Sequence, residues 1–185
     1  MFGFVVLAVL VLLALWLVGQ FNGLVGLRNQ VQNAWAQIDV QLKRRADLIP
    51  NLVNTVKGVM KFEQETLEKV MNARARALGA TSMAERGAAE GEVSQTLGRL
   101  LVVMENYPEL KSNQNALQMQ EELTATENKI GFARQFYNDV VMKFNTAQQV
   151  FPTNLIAGMF NFKPADFLQM TEADRVVPKV DLAVS

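Results

Sequence analysis

Across 185 residues the chain has no cysteine and no histidine. Without thiols there are no disulfides, no thiolate nucleophiles and no thiolate metal sites. Without imidazole no Ser-His-Asp triad, no histidine general base and no ordinary zinc or Glu-x-x-His di-iron centre can be assembled. An excess of one charge is also missing. Lys and Arg number 18, Asp and Glu number 18, and the pI is near 6.3, so no basic field draws nucleic acid. Neither G-x-G-x-x-G nor a P-loop occurs, and with them goes the usual phosphate cradle. No catalytic residue, metal ligand, cofactor or small-molecule substrate is nominated. Carboxylates and lysines alone can catalyse, so the composition discourages an enzyme without forbidding one.

What the chain does have is an apolar front. Phe2 to Val18 contains no charged and no polar side chain. At a rise of ~1.5 Å per residue it covers about 25 Å of a bilayer core of roughly 30 Å. Phe21, Leu24, Val25 and Leu27 prolong it, with Gln20 and Asn22 at headgroup depth. A cleaved signal peptide would carry basic residues before the run and small residues at its exit. Here nothing basic precedes Phe2 and the exit is LWLVGQFNG. The expectation is a retained anchor over residues 1–21 that presents Phe2, Val5, Leu10, Leu13, Trp16 and Val18 to lipid. Arg28, Lys43, Arg44 and Arg45 follow it, and basic flanks favour the cytoplasmic side. The body therefore leans cytoplasmic, with a periplasmic one still compatible.

The rest has helical periodicity and almost no strand-like alternation. Five prolines, at positions 50, 108, 152, 164 and 178, punctuate it. A first helix is expected from about Asn22 to Leu78, with a heptad seam of Leu24, Val31, Trp35, Ile38, Leu42, Ile49, Leu52, Val56 and Val59. Pro50 lies inside it and must kink or break it; the unbroken phase of the seam favours a kink. Residues 79–91, GATSMAERGAAEG, have three glycines and predict a loop. A second helix runs to about Asn106, with Val93, Leu97, Leu100, Leu101 and Met104 on its apolar side. A third runs from Pro108 to Val150, with Asn106 as its cap. Its seam, Ala116, Leu123, Ile130, Tyr137 and Phe144, repeats every seven residues. The expected fold is all-α: an anchor, an antiparallel bundle of three long helices over 22–151 (four if Pro50 breaks the first), and an aromatic segment with an extended tail over 152–185.

Several groups carry chemistry or contacts. Arg45 falls on the seam between Leu42 and Ile49, where an unpaired guanidinium would be severely destabilising. Glu127 is the expected partner of a buried ion pair. Glu121, Glu122, Glu127 and Asp139, whose spacings stack no pair on one face for metal or acid/base chemistry, are placed as solvated charges and salt bridges, and Glu63, Glu65, Glu68, Lys69, Arg74 and Arg76 as a mixed solvated face. Val31, Trp35, Ile38, Leu42, Leu123, Ile130, Tyr137 and Phe144 are the packing and self-association set. Leu155, Ile156, Met159, Phe160, Phe162 and Phe167 either cap one end of the bundle or touch lipid or a second protomer. A broken first helix would bring this patch back to the membrane side, and a merely kinked one would leave it at the far end.

The wording of three stretches resembles the LemA family. They are Asn22 to Gly58, with NGLVGLRNQVQNAWAQIDVQLKRRADLIPNLVNTVKG; Leu97 to Asn138; and Phe144 to Phe167, with FNTAQQVFPTNLIAGMFNFKPADF. VMNARARA, Val70 to Ala77, is similar as well. Ala46, Val59-Met60 and Asn161 depart from the residues common there. The resemblance implies a bacterial inner-membrane protein with one anchor and a long antiparallel helical domain. It implies no catalytic residues. Relatives in magnetosome membrane formation suggest, by analogy, a part in organising or remodelling membrane. A sensor kinase has shared the family name, but this chain has no kinase motif.

Two functions of different kind follow. One is a non-catalytic scaffold, a homo-oligomer on the inner membrane, because a third helix longer than the second leaves seam surface for another protomer. The other is a membrane-tethered adaptor for another membrane protein, a protease or a signalling protein.

Overall fold

The computed structural model describes residues 1–168, so the polar tail expected beyond Phe167 lies almost wholly outside them. The described residues form six helices and no strand: α1 (Phe2–Val56), α2 (Gln64–Gly79), α3 (Met83–Met104), α4 (Pro108–Lys111), α5 (Gln114–Gln149) and α6 (Thr153–Met159). The all-α fold follows the periodicity, but several boundaries do not. The chain divides into two compact units, one built on Met1–Gln37 with Gln135–Phe167 and one on Ile38–Arg134.

In the second unit, α1 continues through Pro50 without a break. Pro50 has no N–H, so it leaves the carbonyl of Ala46, four residues back, without its helical donor. Arg74 of α2 fills the gap: its Nε–H donates to the Ala46 oxygen at 2.6 Å. Arg74 therefore belongs to a helix contact and not to the solvated face expected of it. The break in the expected first helix comes later, over residues 57–63, where Met60 is fully buried and pins the reversal. Four segments result although Pro50 is intact, so the link between an unbroken Pro50 and three segments is overturned.

α2 runs antiparallel to α1, as Ala46 meets Arg74 near one end and Val56 meets the Met60–Leu67 turn at the other. α3 runs antiparallel to α2: Arg76 pairs with Glu92, and Tyr107 Oη donates to Glu63 Oε1 at 3.3 Å. The core is Ile49, Leu52 and Val56 against Val70, Ala73, Val93, Leu97, Leu100 and Leu123.

The loop expected over 79–91 is mostly helix. Ser82 and Glu85 form a capping box, each side chain bonding the other's backbone N–H, at 3.2 and 3.3 Å. That S-x-x-E signal starts α3 at Met83 and outweighs the glycines. The expected third helix is split. α4 is a single turn capped by Tyr107 without a side-chain bond, so Asn106 is not its cap. α5 begins after Asn113, whose Oδ1 accepts from the N–H groups of Asn115 and Ala116.

The first unit packs α1, up to Gln37, against α5 from Gln135 onward. Trp35 meets Tyr137 edge-on at 5.7 Å, and Gln20 meets Thr153, so the two run antiparallel. α6 ends in a Schellman motif. Asn161 takes φ 53, its N–H bonds Gly158 O at 3.2 Å and the Phe162 N–H bonds Ala157 O at 2.9 Å. Asparagine tolerates this left-handed position better than most residues with a Cβ.

Candidate functional site

Two arrangements stand out, one in each unit. In the second unit Arg45 is 1% exposed and gathers three helices. Its guanidinium contacts the carboxylates of Glu90 on α3 and Glu127 on α5. It also donates to Ser94 Oγ at 2.6 Å and to the Glu90 carbonyl at 3.2 Å. Ser94 Oγ in turn lies 3.1 Å from Glu127 Oε2. The planar fork of arginine suits this set, because it spreads five donors over acceptors on different helices. Glu127 is the partner named from the sequence. Glu90 lies in the stretch expected as a loop, and Ser82-x-x-Glu85 is the signal that puts it on a helix; Ser94, on the expected second helix, has no sequence signal that marks it.

The two carboxylates are held by the guanidinium itself, which fastens α1, α3 and α5 together. Among the described residues no three metal-ligating side chains gather in one place. Around it lie exposed or half-exposed ion pairs: Arg86 with Asp39 at 2.9 Å and Arg44 with Glu122 at 3.7 Å. At the start of α3, the backbone N–H groups of Ser82 and Thr81 hold the Glu85 carboxyl below the usual carboxylate range.

The first unit contains the exit of the apolar run. Phe2, Val5, Leu10, Leu13, Trp16 and Val18 are exposed, and α1 is the one described helix long and apolar enough to cross a membrane. None of its apolar window is buried within the chain, unlike a core helix. Just beyond it, Thr153 Oγ1 donates to Gln20 Oε1 at 3.1 Å. Phe21 meets Phe160 at 4.7 Å and Phe162 at 5.8 Å between ring centroids. Leu24 is buried with Ile156 and Ala157. The segment after α6 is strapped back along α5: the Asn145 amide bonds both N–H and C=O of Ala165 at 2.9 Å, and Tyr137 Oη donates to Asp166 O at 3.0 Å. Burial, with Asp166 adding to it, raises the Tyr137 pKa.

The aromatic segment is therefore at the anchor end of its unit, against Phe21, although Pro50 does not break α1. Ile156 is turned inward and Phe162 is partly covered, while Leu155, Met159, Phe160 and Phe167 are exposed. In the packing set Val31, Ile38, Leu42, Leu123, Ile130, Tyr137 and Phe144 are buried, and Trp35 is half-buried beside Ala34. The heptad seam of α5 is thus covered within the chain, which removes the surplus seam surface expected there. Exposed apolar groups of α5 lie off the seam instead. Phe132 and Phe136, one turn apart, are 73% and 49% exposed, with Lys129 one turn before and Asp139 one turn after.

The LemA family model matches residues 34–182. Protein LemA of Metamycoplasma hominis is 29% identical over 163 residues, which cover 86% of this chain and 73% of that protein. Magnetosome proteins MamQ 1 and MamQ 2 of Paramagnetospirillum magneticum are each 32% identical over 81 residues, 44% of this chain and 30% of their own length.

Proposed function

This chain belongs to the LemA family, and from that premise we propose that it is a non-catalytic scaffold that self-associates on the bacterial inner membrane, with its bundle on the cytoplasmic side. One observation carries the self-association. On α5 Phe132 and Phe136, one turn apart, are exposed off the covered seam and offer an apolar patch to a second copy. Because α5 runs antiparallel to α1, two copies anchored in one membrane present it in parallel, and the patch meets its own counterpart in an isologous contact. Anchoring supports the same reading, because the apolar run and the packing seam belong to one helix, α1.

Magnitudes say where such a contact holds. Fully burying a phenylalanine is worth roughly 1.5–3 kcal/mol, and since Phe132 and Phe136 are already part-buried, the four gain about 4–7 kcal/mol. Free association costs about 4–15 kcal/mol, and the two nearly cancel in solution. A shared membrane confines both copies and reduces that cost. A part in organising membrane is proposed by analogy with the magnetosome proteins MamQ 1 and MamQ 2.

Energy transfer between donor- and acceptor-labelled copies in lipid vesicles, at high lipid dilution, tests it. Transfer is expected for the parent chain and loss for the double variant Phe132→Ser with Phe136→Ser. No transfer in the parent overturns self-association. Equal transfer in the two overturns this face.

A further inference from the structure

We infer that α6 is a second membrane contact, a short helix lying in the lipid–water interface beside the point where α1 leaves the bilayer. The inference rests on the reading of Phe2–Val18 as a bilayer span and goes beyond the proposed self-association.

The position of α6 is fixed at the end of the apolar run. Thr153 bonds Gln20 at 3.1 Å, Phe160 packs on Phe21, and Ile156 and Ala157 close over Leu24. Phe21 is three residues past Val18, roughly 4–5 Å along a helix. Apolar faces of interfacial helices sink roughly 5–10 Å, so the exposed side of α6 is within reach of hydrocarbon.

That side has the matching chemistry. Leu155 and Met159, one turn apart, are 59% and 76% exposed, and Phe151 and Phe160 flank them, also exposed. Opposite them Ile156 and Ala157 are buried, so the helix has one face for the protein and one for something apolar. No charged residue occurs between Lys143 and Lys163. Cations stand at the edge: Lys163 is exposed, and Arg28 lies with its guanidinium 5.6 Å from the Phe162 ring centroid. Lipid phosphates sit at that level. A helix of seven residues is too short to hold a membrane by itself, but the anchor makes its insertion intramolecular. Continuity with the span selects the bilayer over a second copy as the occupant.

The absence of cysteine makes the test direct. Single variants Leu155→Cys, Met159→Cys, Leu10→Cys and Gln135→Cys of the full chain carry a polarity-sensitive fluorophore in phosphatidylcholine–phosphatidylglycerol vesicles. A nitroxide-labelled lipid serves as quencher. All four positions are exposed, so the substitutions remove no packing. The labels at 155 and 159 are expected to shift to the blue and lose most of their emission, as at position 10, while the label at 135 keeps its own. Emission at 155 and 159 like that at 135, with position 10 quenched, overturns the inference and leaves the anchor standing. Labels at 155 and 159 shielded from aqueous iodide yet unquenched by the lipid mean that protein covers α6, which also overturns it. Quenching at all four positions alike overturns it too. An unquenched label at position 10 removes the span, and the inference with it.

Discussion

Replacing Arg74 by methionine should weaken the bundle only as long as Pro50 is present. The Ala46 carbonyl lacks its helical donor because Pro50 has no N–H, and Arg74 Nε–H supplies one at 2.6 Å. A hydrogen bond to a charged group is worth about 1.5–3 kcal/mol. Methionine keeps most of the stem packing, so Arg74→Met should cost nearly that much. For a chain of this size each kcal/mol lowers the melting midpoint by roughly 2–4 °C, giving a fall of about 3–12 °C. Pro50→Ala restores an N–H at the position the carbonyl faces. In that background Arg74→Met should cost less than about 1 kcal/mol, since only an exchange of neutral for charged donor is lost. The assay is a double-mutant cycle on the full chain in detergent, with helix loss followed by far-UV circular dichroism in urea. Costs that agree in the two backgrounds within about 0.5 kcal/mol would mean additivity, and the account of how α1 passes Pro50 would be refuted.

Arg45→Met strands Glu90 in the interior, and removing one partner of a buried pair costs about 3–5 kcal/mol; urea unfolding should show this, and Glu127→Gln should cost less because Glu127 is partly exposed. Adding Glu90→Leu to Arg45→Met should recover much of the loss, and a further fall would contradict the fastener role. The Glu85 carboxyl has a lowered folded pKa, so its contribution is present above the ordinary carboxylate range and fades as pH falls through the lowered value. Acid titration of α3 helicity should therefore be shallower in Glu85→Gln, which keeps a capping side chain without the titration. Asn145→Ala removes both bonds to Ala165, worth about 1 kcal/mol each; hydrogen exchange at Ala165 should accelerate while α3 amides keep their rates.

Much of the molecule is legible because helices record burial at short range. The heptads of Leu123, Ile130, Tyr137 and Phe144 mark the buried side of α5, and Arg45 among Leu42 and Ile49 marks a charge that needs a partner inside. Helix ends were less legible. The glycines of 79–91 signal a loop that the Ser82–Glu85 capping box overrides, and the break after Val56 has no proline to announce it.

By itself the sequence determined the division into an apolar run and a helical body, since hydropathy and period are sums over neighbours along the chain. Only the tertiary structure decided that Pro50 is tolerated, that Glu90 and Ser94 join Glu127 around Arg45, and that α6 rests on Phe21. Each of those depends on a group tens of residues away supplying a donor, a charge or a ring. A one-dimensional pattern can show that such a need exists, but packing in three dimensions chooses who meets it.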